Sequence, residues 1–330
     1  MNIKLFVAVV ISLFLLQFMN IAVSEEFNNE KTDTFIESCY KSAESLDLFG
    51  FDKKNKNCRL EVYEKRYDED QSKSVIDIRS TEFHGKIEGL DYPLHTWFYE
   101  FELDEKTSEI VLVLNNYARL LSNSNMKIAN SNISKEEIIK KAKLYISKLN
   151  PSIKNMELDY CYSNFKNKPK NGLLEISFNR IYKGYEYSND FINITLSNKY
   201  GLISYYKKYS SKECSVEVKI NKERALEKAK MELRKVFDTL SHGHQIQYLD
   251  EEIKGVNLLI INPSMYPVLS DTSKKMKKND AVLVYNFMFS INYKFNLGKD
   301  IQKKGSPIIM WIFIDAATGE FVCANYEETN

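Results

Sequence analysis

Residues 133–149 read ISKEEIIKKAKLYISKL, and residues 220–236 read INKERALEKAKMELRKV. Aligned, they share I-x-K-E-x-x-x-x-K-A-K. Each opens on a residue that caps helices, Ser134 or Asn221, ahead of apolar residues at helical spacing. Glu137 stands three places after Ser134 and completes a capping box. Asn150-Pro151 ends the first helix, because the residue before proline is turned away from helical geometry. Ile139, Ala142, Ile146 and Leu149 form its apolar face. Leu226, Ala229, Leu233 and Val236 repeat that face at matching intervals in the second. A shared pattern of this length marks two copies of one unit.

The segments after each helix also correspond. MELDYCYSNF, GLLEISFNRIYKGYEY and INITLSNKYGLISYY follow the first; VNLLIINP, AVLVYNFMFSINYKF and WIFIDAATGEFVCA follow the second. Alternation makes them strands, with Leu174, Ile176 and Phe178 sharing one face and Ile192, Ile194 and Leu196 another. The corner Ser197–Gly201 matches Asp315–Gly319. Its closing glycine permits the positive φ that a bulged hairpin loop demands. Ser197 and Asp315 can each bond the turn's own backbone. A weaker echo, FYEFELDEKTSEIVLVL at 98–114, has Asp104 in the place of Asp315 and Ser108 in that of Gly319. CRLEVYEKRYDED and SVIDIRSTEF precede it with further alternation. The expected division is a mostly β region with short helices and a degenerate copy at 25–132, then full copies at 133–211 and 220–330. A joint is expected at Ser210–Val218, where the strand pattern stops.

The chain has 330 residues, 44% hydrophobic and 28% charged, which is a globular composition rather than a disordered one. A net charge of +1 gives no global field toward nucleic acid or an anionic membrane. Residues 1–24 stand apart: Lys4, the apolar run Leu5–Leu16, then Ala22-Val23-Ser24 before Glu25. The run is short for a membrane span, which needs about 20 apolar residues. Small residues at Ala22 and Ser24 fit signal-peptidase cleavage. The mature chain is therefore expected to be secreted or in the cell envelope, with no stable membrane span after cleavage. An exported chain can form disulfides. Cys39 and Cys58 are the closest pair in sequence, Cys161 with Cys214 would staple one copy, and Cys323 sits in an apolar strand.

The unit of helix, strands and corner resembles the PepSY-like domains, in particular the tandem YcdB/YcdC repeats of exported bacterial proteins. Three stretches carry the resemblance: the helix starts at Ile133 and Ile220, residues Phe178–Tyr206 with an R-x-x-x-G step at Arg180 and Gly184, and Ile314–Val322. It covers about Phe98 to Glu328. The second copy departs from it, with a lysine-rich insertion SDTSKKMKKND and no R-x-x-x-G step. The resemblance implies an α+β protein of tandem PepSY-like units, each a helix packed on a small antiparallel β-sheet. Such domains also occur in propeptides of thermolysin-like metalloproteases, where they assist folding and inhibit. The resemblance therefore implies a peptidase regulator whose partner is an extracellular peptidase or peptide.

Other constellations are read against ordinary structure. His242 and His244 form a His-x-His pair ahead of Asp250, Glu251 and Glu252, a set that could hold a metal; the Gly243 between them points instead to a surface turn. His84 and His95 carry no motif. Carboxylates lie mostly in Lys/Glu mixtures of solvated type. The chain contains no H-E-x-x-H, no G-x-S-x-G, no C-x-x-C and no glycine-rich phosphate loop. Cys161 lacks a nucleophile signature. Lys274–Lys278 reads as an exposed loop, and Tyr182, Tyr185 and Tyr187 as sheet packing rather than a binding shelf. Asn132-Ile-Ser134 and Asn193-Ile-Thr195 match the glycosylation sequon. No catalytic, cofactor-binding or metal residue is assigned, and no cofactor or nucleic acid is expected. The expected function is a non-catalytic peptidase-binding module. The alternative is a structural or interaction protein of the cell envelope, with an enzyme as a third reading.

Overall fold

Apolar alternation and capped helices resolve, in a computed structural model, into helix-then-meander runs. It describes residues 29–68, 73–85, 94–124, 134–153, 158–163, 173–209, 211–241, 246–266, 268–269, 280–296 and 302–328. The leader at 1–24, His242, His244, Lys274–Lys278 and Asn132 lie outside these residues.

The first run is α1 (Asn29–Ser45), β1 (Leu60–Asp68), β2 (Lys73–Ser80), a side hairpin β3 (Glu82–Gly85) and β4 (Leu94–Trp97), then β5 (Tyr99–Asp104) and β6 (Ile110–Asn115). After α2 (Asn116–Ser124) comes the second: α3 (Lys135–Leu149), β7 (Leu158–Ser163), β8 (Leu173–Tyr182), β9 (Tyr185–Ser197) and β10 (Gly201–Lys208). The third is α4 (Lys222–Leu240), β11 (Ile246–Ile261), β12 (Val268–Leu269), β13 (Val282–Asn296), β14 (Gln302–Lys304), β15 (Ile308–Asp315) and β16 (Phe321–Glu328). In each run four main strands follow the helix as an antiparallel meander: β1-β2-β5-β6, β7-β8-β9-β10 and β11-β13-β15-β16.

The meanders do not stand as separate small sheets, which corrects the expectation from sequence. β6 pairs with β10, and β9 touches β11 in parallel at Tyr187 opposite Ile260, so 14 strands join in one sheet. An unpaired edge leaves backbone donors and acceptors open; β6 and β10 satisfy some of theirs through three paired residues, while β11 meets β9 at one position. The first region also holds a 17-residue helix, longer than its sequence suggested.

The helices cover the sheet over two main cores. Phe35, Cys39 and Ala43 of α1 share one core with Ile138, Ala142 and Ile146 of α3, over Ile76, Phe101, Ile176 and Ile194. Ala225, Ala229, Leu233 and Val236 of α4 lie over Phe287, Phe289, Ile312 and Ile314. Ser134 makes the full capping box with Glu137, and the Asn221 side chain accepts from the Arg224 amide. The buried face of α3 is Ile138, Ala142, Tyr145, Ile146 and Leu149, with Ile139 only partly covered. The tertiary contact thus turns the helix slightly from the face that spacing suggested.

The corners share one geometry. The Oδ1 of Asp104 accepts from the Lys106 and Thr107 amides, and that of Asp315 from Ala317 and Thr318. Ser197 Oγ accepts from Lys199 and Tyr200. The closing residues Ser108, Gly201 and Gly319 have φ of 59°, 73° and 77°. Cys39, Cys58, Cys214 and Cys323 are free thiols, so the Cys39–Cys58 and Cys161–Cys214 pairings are not formed. Among the described residues, no helix is long and apolar enough to cross a membrane.

Candidate binding edge and charged sheet face

The sequence candidates scatter. His84 and His95 stand opposite each other in the backbone register of β3 and β4. Cys161 falls in β7. Tyr187 is fully buried, and Tyr182 and Tyr185 pack against the same core, so the three tyrosines form packing and not a shelf. Among the described residues no three or more His, Cys, Asp or Glu converge as metal ligands. Asp250, Glu251 and Glu252 lie in β11, whose edge away from β13 is largely unpaired among the described residues.

β11 pairs with β13 from Ile246 to Ile261. Among the described residues its other edge is paired only at Ile260. Among the described residues, 246–258 therefore leave the backbone donors and acceptors of this edge unpaired by another strand. Bulges interrupt the register at Tyr248/Asp250 and Ile253/Gly255. Between them Asp250, Glu251, Glu252 and Ile253 run in regular register. Successive strand residues face opposite sides. Glu251 lies opposite Ile291 of the α4 core, and its carboxylate takes the Tyr248 hydroxyl and sits 3.9 Å from Lys230 of α4. Asp250 and Glu252 share the other face. Asp250 accepts from Asn292 at 2.5 Å, and Glu252 meets Lys254 at 2.6 Å while its side chain stays 67% exposed. Leu249 and Ile253 are 43% and 39% exposed, unusual for aliphatic side chains in a strand. A cleft of about 350 Å³, lined by Phe237, Leu240, Ile246, Tyr293 and Phe295, opens at the first residue of β11.

A second concentration of charge lies on the sheet face turned away from α1. Ile76 and Ile78 point into the core, so Asp77 and Arg79 between and after them point outward. Arg79 grips Asp77 with two bonds, of 3.1 and 2.6 Å, and its guanidinium lies 3.7 Å over the Tyr63 ring and 4.0 Å over Trp97. Directly opposite Asp77 is Glu102, held by Arg66 at 2.6 Å. Burial raises both carboxyls above the usual range, against the pull of their arginines. Each acid is thus committed to its own cation, which suits a structural or docking surface better than proton transfer to a substrate.

The R-x-x-x-G step proves to be a latch. Lys183 and Gly184 both have positive φ, the two-residue hairpin geometry that glycine favours. Arg180 Nη1 donates at 3.0 Å to both Asp190 Oδ2 and the Ser211 carbonyl, while Asp190 Oδ1 accepts the Ser211 amide at 3.1 Å. Tyr187 donates its hydroxyl to the Lys212 carbonyl. Farther on, the Lys219 and Ile220 amides bond Ala316 O. The segment expected to be a loose joint is thus fixed at both ends. Sequence reading missed the Asp190 partner and the β11 edge, because neither is a local pattern.

No protein-family model matches this sequence, and no curated protein matches it. A solved structure, the Bacillus megaterium YpeB C-terminal domain, is similar with a TM-score of 0.40 and 16% identity, over 89% of this chain and 97% of that one.

Proposed function

We propose that this chain is an exported, non-catalytic PepSY-like protein that binds and regulates a peptidase outside the cytoplasm. The observation behind it is the edge of β11 over residues 246–258, which no other described strand pairs. An extended segment of a partner can add to such an edge through main-chain hydrogen bonds, with side-chain contacts giving selectivity. The sequence resemblance at Ile133, Ile220, Phe178–Tyr206 and Ile314–Val322 supplies the peptidase as the class of partner. Inhibition by occupying a cleft needs a rigid edge and no nucleophile. Export follows from the leader at 1–24, with cleavage after Ser24, which mass spectrometry of the mature amino terminus checks.

The test is a titration of extracellular peptidases from the same host with the mature chain. Inhibition that saturates near one equivalent, survives chelators on a metal-free peptidase and reverses on dilution is the expected result. Absence of inhibition of every host peptidase favours the envelope-scaffold role. Turnover of a substrate by this chain alone would make it an enzyme.

A further inference from the structure

We propose that the partner strand recognised by β11 is cationic on alternate positions, with Asp250 and Glu252 as the residues that select it. This rests on the reading of β11 as the docking edge and specifies what that edge prefers. The two bulges break the register on either side of Asp250–Ile253, so these four residues form one regular segment between them. Within that window Asp250 and Glu252 project on one face, one residue apart, and Glu251 is turned to α4. An added strand lies about 4.8 Å away, and its directly opposed side chains come within about 5.5 Å. Lysine or arginine at two alternate positions then meets Asp250 and Glu252. The face of Ile253, which lies opposite Phe289 of the core, takes an apolar residue at the next position. An acidic strand in the same register meets like charges.

Charged, bulged edges also serve simply to prevent strand pairing, and the experiment separates the two roles. Three labelled ten-residue peptides are titrated into the mature chain by fluorescence anisotropy. One alternates lysine and valine, one alternates glutamate and valine, and one is the lysine peptide N-methylated along one backbone edge. The lysine peptide is expected to bind about tenfold more tightly than either of the others. The double variant Asp250→Asn, Glu252→Gln should weaken it roughly threefold to tenfold, the scale of two cross-strand charge pairs. Glu251→Gln should leave it unchanged. Equal affinity for lysine and glutamate peptides overturns the charge selection while leaving strand addition standing. Undiminished binding of the N-methylated peptide overturns strand addition as well. Failure of every peptide to bind overturns the proposal at this edge. Peptidase inhibition that persists in the double variant would then show that regulation uses another surface.

Discussion

Asp77 and Glu102 stand directly opposite each other on β2 and β5, two buried carboxylates in a cross-strand pair, each answered by a separate arginine. Their side chains are only 3% and 11% exposed. Burial raises both above their usual values, so the folded chain holds protons there more tightly than the unfolded one. Their contribution to stability is complete below the unfolded value, near pH 4, and is lost as pH rises through the folded value. Asp104 and Glu109 act in the opposite sense. Burial pushes both up, but amide and lysine contacts outweigh it and hold them below the usual range. Their contribution is lost as pH falls through the folded value.

The pair can be isolated by Asp77→Asn with Glu102→Gln. The variant lacks proton uptake at these two sites, so its Tm relative to the parent should increase from pH 4 to pH 7. Thermal melts across that range read the difference directly. A flat or decreasing difference would mean that the two carboxyls titrate alike in the folded and unfolded chain.

The three corners give a second prediction. Gly319→Val should cost about 1–3 kcal/mol, because a β-branched side chain is strained at a φ of 77°. Gly201→Ala should also destabilise, since its new Cβ would meet Tyr145 Oη at 3.2 Å besides the strained φ. Ser108→Gly should be neutral or stabilising by up to about 1 kcal/mol, since Ser108 already sits at a φ of 59°. Urea melts rank the three. Destabilisation by Ser108→Gly matching that of Gly319→Val would show that the corners are not equivalent.

These corners were legible in the sequence because their chemistry is local: an acceptor side chain, two amides and a residue with positive φ. The caps Ser134 and Asn221 were legible for the same reason. The fused sheet was not. It depends on Tyr205 of β10 finding Val113 of β6, far away in sequence, and no periodicity encodes that meeting. The acidic run Asp250–Glu252 looked like solvated surface beside a histidine pair. Only the order of strands reveals that it borders an edge left unpaired among the described residues. The α3 face was read almost correctly, and the shift to Ile138 and Tyr145 follows from how the helix settles on the core it shares with α1.

The cysteines give a third prediction. Cys39, Cys58 and Cys323 are buried, and burial raises each thiol above its usual value. Thiolate, the reactive form, is therefore scarce at all three. Iodoacetamide should modify them much more slowly in the native chain than after denaturation, and without prior reduction. Peptide mapping that finds Cys39 linked to Cys58 in the native protein would contradict the free thiols.

The last prediction concerns the latch between Arg180 and Asp190. Asp190 is fully buried, and Arg180 is the cation paired with it. Arg180 also lies 4.5 Å from the Tyr187 ring centre and 5.2 Å from that of Tyr209. Arg180→Ala removes the cation that pairs with this buried carboxylate, together with its bond to the Ser211 carbonyl, a loss on the order of 3–5 kcal/mol. Asp190→Asn should cost less, because an amide oxygen still accepts from Ser211 N. The two differ locally as well as globally. In the parent the segment after Tyr209 is tied through Ser211, Lys212, Lys219 and Ile220. Trypsin should therefore cut the parent after Lys212 no faster than within the paired strand β10, although an irregular segment is normally the first to be cut. In Arg180→Ala the same bond should be cut early, before any global unfolding. Early cleavage at Lys212 in the parent would show that these contacts do not hold the segment. An unchanged pattern in the variant would show that Arg180 is not what holds it.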